Sequence, residues 1–153
     1  MKKITSENLT FVTVLLGIMA TLMLLFPALV AGGTDASYTG LHVALGHETV
    51  NLGGFANVRI NFSLLNLVGY VLPFVGAMVI VFVKKGHLIS VFVFAAAIVT
   101  LFMVPEFTTV TFTVMGSSTD VAVDWTYGIG LIIAIVLSFL ALFISIYKTT
   151  RKA

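Results

Sequence analysis

The stretch that decides the fold is Ser63-LLNLVGYVLPFVGAMVIVFV-Lys84-Lys85-Gly86-His87-LISVFVFAAAIVTLFMV, ending at Val104. Two long apolar runs flank a short basic connection. Each run has roughly the length of a bilayer-spanning helix, about 20 residues. Lys84 to His87 is too short for anything but a turn between antiparallel neighbours. The stretch therefore predicts a helical hairpin with its turn on a basic side. Pro73 inside the first run does not forbid this, because neighbouring helices in lipid satisfy a freed carbonyl.

Two further apolar blocks lie outside the hairpin. The first spans about 5–30, with Thr5 or Ser6 as cap and Glu7 at the positive helix N-terminus. Pro27 predicts a kink near its end. The last spans about 125–147, with Trp125 and Tyr127 at one interface and Tyr147 at the other. Together with 63–83 and 88–104 they predict a four-transmembrane-helix antiparallel bundle in a single domain, residues 1–153. The run from Leu9 to Val30 is longer than the apolar core of a signal peptide, about 7–15 residues, so it is read as a retained helix.

Charge gives the orientation. Lys2, Lys3, Lys84, Lys85, Lys148, Arg151 and Lys152 fall on one side of the bundle with a single acid, Glu7. The other side carries Arg59 against Asp35, Glu48, Glu106, Asp120 and Asp124. The positive-inside bias places both termini and the 84–87 turn in the cytoplasm. The chain is 59% hydrophobic and only 9% charged, where a soluble domain carries about a quarter charged residues. Its basic balance therefore reports membrane orientation, with no nucleic-acid partner implied. The absence of cysteine removes disulfides, thiol catalysis and thiolate metal sites. Cysteine-free exported loops point to a bacterial plasma membrane.

The two outer loops, 31–62 and 105–124, change period. Ala56 to Phe62 and Thr109 to Val114 alternate apolar and polar residues, and Asp120 to Trp125 places Val121, Val123 and Trp125 on one face. Such alternation with β-branched residues predicts strands with one buried face. Gly116-Ser117-Ser118 predicts a hairpin, and Tyr38 to Leu45 a weaker fourth strand. The expectation is one small extracellular antiparallel sheet, drawn from both loops, capping the bundle.

This layout resembles the claudin-like tetraspan group. The shared points are four spans, cytoplasmic termini, a long first outer loop, a very short inner turn, and an outer sheet from both loops. The family's first-loop signature has tryptophans around a Gly-Leu pair and two cysteines; Thr39-Gly40-Leu41-His42 here keeps only the Gly-Leu. The resemblance implies lateral assembly through outer strands and helix faces.

Candidate chemistry is sparse. No Asp, Glu, Lys, Arg or His is expected in the middle of a span, where proton relays and ion-coupled carriers need them. Asn66 is the amide nearest a span interior, either an interhelical hydrogen bond or a pore candidate. His42, His47 and Glu48 are chemically able to bind zinc but fit no ligand spacing and read as a solvated loop. Asp120 and Asp124 read as a polar strand face. No catalytic, cofactor or metal constellation emerges. Gly130, Ala134 and Ser138, continued by Ala141 and Ser145, form a small-residue stripe that lets helices approach closely, within the bundle or between copies.

These residues predict a non-enzymatic integral membrane protein acting as a structural and interaction module. Val58, Ile60, Val110, Phe112, Val121 and Val123 on the sheet and Gly130, Ala134 and Ser138 on the last helix are the candidate contacts. The partners are membrane lipids and a second copy or another membrane protein. The alternative is an oligomeric channel or an accessory transporter subunit, with Asn66 at its pore.

Overall fold

A computed structural model describes residues 6–151. The expected cap at Thr5 and the basic residues Lys2, Lys3 and Lys152 lie outside the described residues. The chain begins with α1 (Ser6–Leu22), a short 3-10 turn at Met23–Leu25, β1 (Pro27–Ala31), β2 (Ser37–Thr39), α2 (Gly40–Leu45), β3 (His47–Asn51) and β4 (Ala56–Ile60). It continues with α3 (Leu64–Phe82), α4 (Gly86–Phe102), the one-turn α5 (Val104–Phe107), β5 (Val110–Val114), β6 (Ser117–Val121), β7 (Trp125–Tyr127) and α6 (Ile129–Arg151).

Four long helices make the body. α1 packs on α3 and α6, and α4 packs on the same two, so the helices close into a ring. Three of them are long and apolar enough to cross a membrane, the first when taken through its 3-10 turn as Glu7–Leu25; α4 is apolar but shorter, at 17 residues. The hairpin between α3 and α4 turns at Lys84-Lys85, and Gly86 makes this possible. A Cβ there would lie 2.3 Å from the Val79 carbonyl oxygen. Gly17 plays the same part between α1 and α3, where a Cβ would come within 2.6 Å of the Pro73 oxygen and 3.0 Å of Ala77 Cβ.

The main core lies where the bundle meets the strands. Leu29, Val43, Tyr70, Leu101, Val104 and Leu131 are fully buried there. A smaller cluster of Ile80, Phe94 and Ala141 lies nearer the 84–87 turn. Facing outward from the helices are Phe11, Phe82, Phe92 and Phe143, among many large apolar side chains left exposed.

The strands form two antiparallel sheets, in the orders β2-β1-β7 and β3-β4-β5-β6, rather than the single sheet expected. The difference begins at Pro27. A residue before proline is driven from helical to extended backbone, and Phe26 is extended at φ −101°, ψ 164°. The first helix therefore stops at Leu22 and its 3-10 turn instead of continuing to Val30. Pro27–Ala31 becomes a central strand, pairing Leu29 with Tyr38 and with Tyr127. Trp125–Tyr127 is accordingly its strand partner and not the first turn of the last helix, which starts at Ile129.

Tyr38 to Leu45 is also corrected. Only Ser37–Thr39 is strand; Thr39 Oγ1 accepts from the His42 amide and caps α2. Gly40, Val43 and Ala44 are the buried positions, a helical spacing that outweighs the period-two pattern. The fourth strand of the larger sheet is His47–Asn51 instead. The expected strand from Asp120 to Trp125 divides into the end of β6 and the start of β7, so Val123 is half-buried in the link between the sheets and belongs to neither.

Gly17→Val should destabilise the bundle by about 1–3 kcal/mol, since an inserted side chain must push two backbones apart. Denaturation in mild detergent measures it; unchanged stability would show that α1 and α3 are not held at this distance.

Candidate interaction surface

The larger sheet offers the most distinctive surface. Its central pair, β4 and β5, comes from the two different loops and runs in unbroken register from Ala56–Val114 to Ile60–Val110. Directly opposed residues share a face. One face carries Val50, Val58, Phe112 and Thr119 in one row and His47, Ile60, Val110 and Val121 in the next. The other face carries Glu48, Arg59, Thr111 and Asp120 in line.

The polar face is internally bonded. Glu48 Oε1 accepts from the amide groups of Asn51 (2.8 Å) and Asn57. Asn61 Nδ2 donates to Thr111 Oγ1 at 2.8 Å, and Thr111 Oγ1 donates to Asp120 Oδ1 at 2.7 Å. The apolar face is closed only at its base. Ile60 and Val110 are buried, while Val50, Phe112, Val114 and Val121 remain between 39% and 45% exposed.

The two edges of this sheet differ. β3 is interrupted between Glu48 and Val50, where its register shifts against β4. Such bulges blunt an edge against further pairing. β6 pairs residue for residue with β5, is exposed throughout, and holds no proline or lysine. It is an open edge of regular backbone.

The β5–β6 turn is Met115-Gly116, with φ of +49° and +82°. Both values suit the two-residue hairpin turn that normally takes Asn-Gly. A left-handed residue with a Cβ costs about 1–2 kcal/mol relative to glycine. Met115 is the one such non-glycine residue among those described and is 78% exposed, so neither burial nor backbone preference explains a methionine there.

The small-residue stripe on α6 faces inward. Ala134 and Ser138 are fully buried, Ser138 Oγ donates to the Ala134 oxygen at 2.8 Å, and a Cβ on Gly130 would meet Phe26 and Pro27 within 3.0 Å. These three positions pack within one chain. Asn66 is likewise fully buried. Its Nδ2 donates to the Val43 oxygen at 3.3 Å and to Thr108 Oγ1 at 3.0 Å, tying α3 to α2 and to the segment before β5. This is a packing tie, the first of the two readings that the sequence offers for Asn66.

Two features were not anticipated. The buried stripe on α6 continues at the same spacing to Lys148, which is 6% exposed at the turn end of the bundle. Its ammonium donates to Thr10 Oγ1 on α1, which lies 3.4 Å from His87 Nε2 on α4. Nearby, Ser90 Oγ donates to Ser145 Oγ at 3.1 Å. The i, i+3, i+4 spacing from Ala134 through Ser145 was the signal for Lys148. The second feature is a stack of His42 on His47, centroids 4.0 Å apart and planes 13° from parallel. It spans Gly46, the single residue between α2 and β3, whose φ is +85°. Stacked parallel rings do not aim their nitrogens at a common point, and no cluster of three metal-ligating side chains occurs among the described residues.

No protein-family model, curated protein or solved structure matches this chain. The surface must therefore be read from its own chemistry.

The histidine stack predicts a pH dependence. Desolvation first, and repulsion from His47 second, hold the His42 pKa below its ordinary value of 6.5. A depressed histidine favours the neutral form in the fold, so its stabilisation is present above pH 6.5 and is lost as pH falls through the folded value. Amide exchange in α2 and β3, corrected for intrinsic rate, should accelerate on acidification below 6.5. His42→Gln should remove that acceleration; a flat wild-type profile would contradict the assignment.

Proposed function

We propose that the chain is a four-span plasma-membrane protein with both termini in the cytoplasm, acting as a non-enzymatic assembly module. Its extracellular sheet pairs with a second copy through the open edge β6. The charge split along the sequence supports the orientation, and the length and apolarity of the helices support the membrane location. The observation that carries the assembly is the contrast between the bulged edge β3 and the regular, exposed edge β6.

The edge is self-complementary. In a two-residue hairpin the residues flanking the turn, Val114 and Ser117, exchange backbone hydrogen bonds. Alternation then directs the backbone groups of Ser118 and Asp120 away from β5. A two-fold axis through Thr119 would oppose Ser118 to Asp120 of the other copy in both directions. That places a hydroxyl against each carboxylate and no like charges face to face, which is favourable for a cross-strand pair. The axis relating antiparallel strands is perpendicular to their sheet. Two copies share one bilayer when that axis lies along the membrane normal, with the sheet parallel to the surface.

The test uses the absence of native cysteine. Thr119→Cys in native membranes should form an intermolecular disulfide on mild oxidation, while Thr34→Cys in the other loop should not. Adding Ser118→Pro removes an outward donor and should abolish the crosslink. A Thr119→Cys chain that stays monomeric would sink the proposal.

A further inference from the structure

The apolar face of the larger sheet leads back toward the surface of a span, across its buried base at Ile60 and Val110. From the end of β4 the alternation Val58, Ile60, Phe62 continues to Leu64 and Leu65, the first residues of α3. Phe62, Leu64 and Leu65 are 55%, 62% and 48% exposed. At the other end of the strands the same surface runs out to two hairpin tips. The Met115 amide donates to the Phe55 oxygen at 3.0 Å and joins the tips side by side. Leu52, Phe55 and Met115 are there 62%, 68% and 78% exposed. Those values match the outward side chains of the helices, where Phe11 is 69% and Phe92 71% exposed.

Charge separates the two faces. Glu48, Arg59 and Asp120 all lie on the opposite side, and the apolar face carries no Asp, Glu, Lys or Arg; its polar members are Ser117 and Thr119 on the β6 edge and His47 at the base. An uncharged face bordered by water would be left half-solvated, yet one of its outermost residues is a methionine held at positive φ against its backbone preference. Amphipathic elements that lie in a membrane interface show this division: one apolar face with aromatic and aliphatic anchors, one polar face outward.

We propose that the larger sheet lies on the lipid surface of the protein's own membrane, with Val50, Val58, Phe112 and Val114 against the outer leaflet and Leu52, Phe55 and Met115 as its anchors. The outer segments carry one basic residue against five acids, so the attraction is apolar and needs no anionic lipid. The inference rests on the chain spanning a bilayer; it does not require pairing through β6, although that pairing needs the same orientation of the sheet.

Single cysteines carrying a nitroxide, placed in phosphatidylcholine nanodiscs, test it. Phe55→Cys and Val114→Cys report the apolar face, Arg59→Cys and Thr113→Cys the polar face, and Phe92→Cys a span. Labels on the apolar face should collide severalfold more with oxygen than with a water-soluble nickel chelate, as should the label at Phe92. Labels on the polar face should show the reverse. Replacing part of the lipid with phosphatidylglycerol should leave the pattern unchanged. Met115→Asn, which suits the turn better, should keep the fold and raise chelate access at Phe55. Chelate access equal on both faces, with Phe92 still shielded, would overturn the inference alone. Shielding of the apolar face from both reagents, with spin–spin broadening, would mean protein covers it and would also overturn it. Chelate access at Phe92 would overturn the spanning topology as well.

Discussion

Ile60 and Val110 face each other across the sheet because the chain between them doubles back on itself. That intervening segment is the α3–α4 hairpin, and its turn closes over the Val79 carbonyl only because residue 86 has no side chain. Two loops distant in sequence are thereby delivered to one end of the bundle in register. Pairing of β4 with β5 satisfies backbone groups that would otherwise be unpaired. The outer strands β3 and β6 then add by local hairpins. Without the helical hairpin neither loop holds a sheet of its own, since an isolated two-stranded hairpin is marginal in water.

A second backbone constraint works at the same end. Phe26 is extended before Pro27, so β1 is threaded between β2 and β7 and the start of α6 is drawn close to the end of α1. The Gly128 amide donates to the Ala28 oxygen at 2.7 Å. Trp125 stands edge-on to Tyr38 with centroids 5.8 Å apart, and its indole nitrogen donates to the Thr108 oxygen at 3.4 Å. The small sheet is therefore the joint between bundle and strands. The larger sheet extends beyond it with one face bonded to itself and the other open.

Much of this was legible in the residues. The apolar blocks marked the four long helices, and the alternation in Ala56–Phe62 and Thr109–Val114 marked two strands, because each has one period over its whole length; that these two pair with each other emerges only from the fold. Proline was misread: at position 27 the effect on the preceding residue ended the helix, where a kink was expected. Gly40 to Leu45 carries both periods at once, and tertiary burial of Gly40, Val43 and Ala44 selected the helix. His47–Asn51 was missed because its bulge at Thr49 breaks the alternation that marks a strand. On α6 the small residues were visible but their direction was not: sequence gives the spacing of a stripe, while packing decides whether it faces inward. Lys148 carries two signals at once, a charge that suits a flank and a place on the buried stripe, and packing selects the second.

The central claim is that the open edge of the sheet makes this chain an assembly module in the membrane. Its most direct test is the mass of the particle extracted into native nanodiscs without detergent. The account predicts at least two copies per particle, reduced to one by Ser118→Pro with the fold retained. A single copy in the wild-type particle, unchanged by the substitution, would contradict it.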